Sequence, residues 1–172
     1  MIMRTGHETE LRTDGDESSS KPPLEIGLVI AGRMDDARMQ AVETMRDRLA
    51  GRLQRDFDQF RWVLRIVNRS ETRLRRPGSV RVEPTELLEI GQTERESYRW
   101  DFIIVITQSD LRTHDKPFAM GIVARVQDAA ILSTSRLDPE GVSATARPQD
   151  RGDLLATRLL ALALHALGHL NG

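Results

Sequence analysis

The sequence predicts an α/β domain built on a mixed, mostly parallel five-stranded sheet, with one antiparallel edge strand and a buried C-terminal helix. Three observations carry that expectation. Two nearly continuous apolar runs, Leu24–Ala31 (LEIGLVIA) and Trp100–Thr107 (WDFIIVIT), read as strands covered on both faces, as parallel strands are. Helical patterns separate the first three strand-like runs, which is how parallel neighbours are connected. Two later runs, Phe118–Ala124 and Ala129–Ser135, are joined by so short a link near Gln127-Asp128 that they must form a hairpin, and one of them runs against the rest.

Each element has its own local reason. Residues 1–23 mix Thr, Asp, Glu, Ser and Lys, show no hydrophobic period and close on Pro22-Pro23, and so read as a flexible tail before a single domain over 24–172. After the first strand, Val42, Met45, Leu49 and Leu53 form one stripe of a helix whose start is capped by Asp35 or Asp36. Phe60–Val67 alternates, with Phe60, Trp62, Leu64 and Ile66 on one side and Arg61 and Arg65 on the other, the pattern of a half-buried strand. An Arg-rich connection with a Pro77-Gly78 turn leads to Pro84, which suits the first turn of a second helix running to about Arg99. A loop over 138–149 precedes the last helix, which opens near Asp150 or Asp153 and runs to about Leu170. Its Leu and Ala residues occupy nearly the whole circumference, so it is expected to be central and buried.

Bulk properties bound the function. At 172 residues, with 39% hydrophobic and 30% charged residues, the chain has the length and make-up of one globular domain. A net charge of −1 gives no global field to recruit nucleic acid or an anionic membrane. No apolar run is expected to approach the roughly 18 residues of a bilayer span. The N-terminus lacks the apolar stretch of a secretory signal. Zero Cys excludes disulfides and thiolate metal sites, so the expected compartment is the cytoplasm.

The chemistry concentrates at the C-terminus, in His165-Ala166-Leu167-Gly168-His169-Leu170-Asn171-Gly172. Two histidines four apart on a helix project from one face, which lets both imidazoles reach one zinc ion. The zinc-peptidase form of such a helix is H-E-x-x-H, with the Glu as general base; here that position holds Ala166. The bland alternative is a pair of helix histidines without metal, with Ala166 present as the best helix former. Other candidates are weaker. His114 sits in a polar loop and reads as a surface residue. Arg69, Arg73, Arg75, Arg76 and Arg81 read as a solvated loop diluted by Glu71 and Glu83. The glycine after Leu28-Val29-Ile30-Ala31 falls short of a phosphate-binding fingerprint.

Three pieces of the second half together resemble the archaemetzincins, a compact zinc-peptidase branch of the metzincin clan. They are Ile104-Val105-Ile106-Thr107-Gln108-Ser109-Asp110-Leu111, the pair Phe118–Ala124 and Ala129–Leu137, and the His165–Gly172 segment. They span roughly residues 100–172, in the family's order. The resemblance implies a metzincin-like N-terminal subdomain, with His165 and His169 as the first two zinc ligands and zinc as the cofactor. Gly172 would match the glycine where the family's helix breaks toward a third His, a role glycine fills by tolerating a left-handed conformation. Phe118–Ala124 would be the edge strand over the cleft, with Phe118, Met120, Gly121 and Ile122 binding an extended peptide or protein substrate by strand addition.

The departures from the family are equally specific. Ala166 replaces the general base, through natural loss or engineered change, and the sequence ends before the expected third His. The family's Met-containing turn and Cys-based second zinc site are also absent from the sequence. The expected reading is therefore a zinc metallopeptidase-like protein, a hydrolase by resemblance, that is inactive as written, in a domain incomplete at its C-terminus. The alternatives are a non-catalytic peptide-binding module, or pseudo-peptidase, and an unrelated α/β domain. The expected partner is an extended peptide or protein substrate, nucleic acid and membrane are not expected, and the sequence leaves the oligomeric state open.

Overall fold

The computed structural model describes residues 21–71, 81–112, 119–137 and 148–171. Its elements are strand β1 (Pro23–Ala31), helix α1 (Asp36–Asp56), β2 (Arg61–Arg69), β3 (Arg81–Val82), α2 (Pro84–Tyr98), β4 (Phe102–Thr107), β5 (Asp110–Leu111), β6 (Gly121–Ala124), β7 (Ala129–Ser133) and α3 (Pro148–Asn171). The main sheet has the order β2-β1-β4-β7-β6. Pairs β1–β2, β1–β4 and β4–β7 are parallel, and β6 runs antiparallel on the edge beside β7. This is the expected mixed sheet of five strands. The chain steps from β1 to β2 in one direction with α1 on one face, then back across β1 to β4 with α2 on the other face. Reversing both direction and face keeps the hand of the crossover constant, as strand twist requires.

Local signals explain the boundaries. Asp35 caps α1 by accepting the Arg38 backbone N–H at 2.8 Å through Oδ1. Pro84 occupies the first turn of α2, where its missing N–H costs nothing, and Arg99 ends the helix in the left-handed region at φ 57°. The short link between β6 and β7 is a 3-10 turn over Arg125–Gln127, closed by Asp128 at φ 48°. Trp100, expected to open the third strand-like run, instead precedes the strand observed there, β4. Its buried ring lies on Gly27, where a Cβ would come within 1.8 Å of the indole. Gly91 plays the same part for α2, bringing that helix close to Val105 of β4.

Two cores result, one on each face of the sheet. Ile26, Leu28, Ile30, Ile104, Ile106 and Leu132 point toward α1 and α3, while Val29, Ile103, Val105 and Ile131 point toward α2. Strand alternation makes this division, and full burial of each such aliphatic side chain contributes about 1.5–3 kcal/mol.

Helix α3 departs from its expected setting. Leu155, Ala156, Leu159, Ala163, Ala166 and Leu167 are buried along one face, while Ala161, His165, Gly168 and His169 are exposed. A helix laid on a sheet buries only the stripe that meets it, however apolar the rest of its surface. An 18-residue stretch within Asp150–Leu170 also reaches a mean hydropathy of 1.2, long and apolar enough to cross a membrane by length and composition. The buried stripe of α3 packs against α1, β6 and β7.

The Arg-rich connection is partly structural too. Arg69 is the last residue of β2 and forms a two-pronged ion pair with the buried Glu94 of α2, at 2.7 and 2.9 Å. Arg81 begins β3, which pairs in parallel with β5 as a small second sheet that the sequence does not announce. Arg73, Arg75, Arg76, His7, His114, Phe118 and Gly172, with most of the expected tail and the 138–147 loop, lie outside the described residues.

Candidate metal centre and cleft

Four residues apart on α3, His165 and His169 present their rings on one exposed face. The Nε2 atoms are 3.1 Å apart and the rings meet edge to face, with centroids 4.4 Å apart. At that distance either one neutral ring donates to the other, or two unprotonated nitrogens direct their lone pairs toward a common point. Zinc–nitrogen bonds of about 2.0–2.1 Å in a tetrahedron place two ligand nitrogens roughly 3.3 Å apart. The observed pair is close to that spacing and fits two positions of a zinc site. Among the described residues no group of three or more His, Cys, Asp or Glu side chains could hold a metal ion, so they do not complete the ligand set.

Beside His165 a cleft of about 400 Å³ opens between α3 and the edge strand, lined by Ala119 to Val123, Leu132, Leu162, His165 and Ala166. Met120, Gly121 and Ile122 thus lie on its wall, and Ala166 on its floor. Ala166 is 2% exposed, and its methyl group packs into the core beneath α3. His169, one turn further along, does not line the cleft.

The strand ladder determines which backbone groups face outward. Ser133 donates to the Met120 carbonyl at 2.8 Å, and the register pairs Ile122 with Ile131 and Ala124 with Ala129. In an antiparallel pair, hydrogen-bonded residues alternate with free ones. The backbone groups of Ile122 therefore turn inward to β7, and those of Gly121 and Val123 turn toward the open edge. Among the described residues no strand lies beyond β6. Val123 is a cleft residue that sequence reasoning misses, because the parity of the ladder appears only once β7 is paired.

The other two family-like segments also meet each other. Arg136 donates to both carboxylate oxygens of Asp110, at 3.1 and 3.0 Å. Ser135 donates to Asp110 Oδ1 at 2.5 Å, and Ser133 donates to the Ser109 carbonyl at 2.7 Å. The Arg136 guanidinium and then the Ser135 hydroxyl hold the Asp110 carboxyl below its ordinary range. Thr134 is wholly buried, and its backbone N–H donates to the Thr107 carbonyl at 2.8 Å. These residues fasten the loop after β4 to the loop after β7. Their role is architectural.

No protein-family model matches this chain, and no curated protein matches it. Solved structures do. A zinc-dependent peptidase from Methanocorpusculum labreanum superimposes with a TM-score of 0.59 at 19% identity, over 86% of this chain and 81% of that one. Archaemetzincin from Archaeoglobus fulgidus gives 0.58 at 17% identity, over 87% and 78%. Archaemetzincin from Methanopyrus kandleri gives 0.52 at 17% identity, over 93% and 76%. The chain has an α/β fold of the kind found in zinc-dependent peptidases. More narrowly, that fold is archaemetzincin-like.

Proposed function

We propose that this protein is a zinc metallopeptidase-like protein in which His165 and His169 hold the metal beside a cleft for extended peptide, and in which Ala166 leaves hydrolysis weak or absent. One observation carries the proposal: the two Nε2 atoms converge to 3.1 Å at the mouth of a cleft walled by an edge strand. The similarity to zinc-dependent peptidases supports it. Bound at this pair, zinc would supply Lewis-acid polarisation of a peptide carbonyl and would acidify water. The chain's own residues do the rest. The outward backbone groups of Gly121 and Val123 pair with peptide laid alongside β6, and Leu162 and Leu132 line the cleft. The Ala166 methyl can neither take a proton nor return one, which forfeits the roughly 10²–10⁴-fold that a placed base contributes.

Zinc bound per chain after equilibrium dialysis tests this reading, with His165→Ala as control. Near-stoichiometric zinc that the substitution abolishes is the expected result. Zinc no higher than in the control would overturn it.

A further inference from the structure

The carbonyl of His169 is one of the last four of α3, which have no N–H partner further along the helix. Arg125 fills that vacancy. Its Nε donates to the His169 carbonyl at 2.5 Å, placing a cation at the negative end of the helix dipole. The arginine comes from the 3-10 turn directly after β6, whose last residue is Ala124. That turn is not held by burial, since Val126 is fully exposed. Polar contacts hold it instead. Gln92 of α2 donates to the Gln127 carbonyl at 2.8 Å, and Arg95 of α2 binds the Asp128 carboxylate at 2.9 Å. The Asp128 N–H closes the turn on the Arg125 carbonyl at 3.1 Å. A turn fastened to the helix on one face of the sheet thus reaches around its edge to the end of the helix on the other face.

We infer that Arg125 is a positioning residue for the second imidazole: it fixes the last turn of α3 so that the His169 ring stays against His165. The inference rests on the proposed zinc reading where it concerns metal, and on the ring geometry alone where it does not. A helix end otherwise frays, and an exposed ring on a frayed turn has no fixed partner. Removing a group that orients a ligand typically weakens metal binding about 10–100-fold. Because Arg125 acts through backbone at an exposed site, about tenfold is expected.

The test uses the whole chain as Arg125→Ala and Arg125→Lys, with two readouts. In the metal-free protein, the proton contact between the two rings is measured by NMR together with amide exchange along α3. The expected result in Arg125→Ala is loss of the ring contact, with faster exchange confined to the turn around Leu167–Leu170 and Arg125→Lys in between. In the presence of zinc, the Kd is expected to rise about tenfold in Arg125→Ala and less in Arg125→Lys. An intact ring contact in Arg125→Ala overturns the inference, as does an unchanged Kd in a wild type that binds zinc. Should the wild type bind no zinc, the metal reading falls and the ring contact alone decides the role of Arg125.

Discussion

At the start of β5, Asp110 is held by Ser135 and by both prongs of Arg136, from the loop beyond β7. At the end of α3, by contrast, two exposed imidazoles rest against each other and one arginine grips the helix backbone. Both regions carry segments that resemble the same peptidase family, yet their physics differ. The first region pairs its carboxylate and hydroxyl groups with one another and with Arg136, inside the chain. The second exposes nitrogen lone pairs beside a cleft, where an outside ligand can complete them. A family-like segment can therefore record how a fold is fastened as readily as how it reacts, and the hydrogen-bond partners tell which.

Breaking the fastened region should have the largest effect on stability. Asp110→Ala removes the acceptor shared by Arg136 and Ser135 and should cost about 1–2 kcal/mol, read as a lowered midpoint in urea. The same carboxylate predicts a pH dependence. Its folded pKa lies below the unfolded value of about 3.9, so its contribution is complete above that value and is lost as pH falls through the folded one. Wild type and Asp110→Asn should thus differ most at neutral pH and converge in acid below about pH 4. A constant gap down to low pH would assign the stabilisation to something other than the charge.

Changes at the cleft should be read in function more than in stability. Ala166→Glu in the zinc-loaded chain should raise cleavage of an unfolded peptide about 100-fold, about 2.7 kcal/mol of barrier, and a chelator should abolish the gain. No gain would mean that the missing base is not what limits the site. Val123→Pro removes an outward N–H and should weaken peptide binding about tenfold, measured by fluorescence anisotropy. Equal binding would place the peptide elsewhere. The smallest expected effect is on folding: His165→Ala should shift stability by less than about 0.5 kcal/mol, because the side chain is exposed. A drop of several kcal/mol would make the histidine structural and remove the contrast between the two regions.

Much of this architecture is legible in the residues themselves. Continuous apolar runs at 24–31 and 100–107 mark two-faced burial, and the stripe Val42, Met45, Leu49, Leu53 is the buried face of α1. The short Arg125–Asp128 link compels the antiparallel pair, and a spacing of four puts both imidazoles on one face of a helix. All of these follow from period and chain length, which are local properties. What needed the tertiary structure depends on partners far away in sequence. Helix α3 is apolar on most sides, but the sheet meets only one of them, so burial stops at a stripe that composition cannot locate. Asp110 finds Ser135 and Arg136, Arg69 finds Glu94, and Arg125 finds the end of α3, 44 residues on. The ladder parity that turns Val123 outward exists only after β7 has paired with β6. Periodicity governs which face a residue takes, but a hydrogen bond or ion pair needs two groups within about 3 Å, and only the folded chain sets that distance.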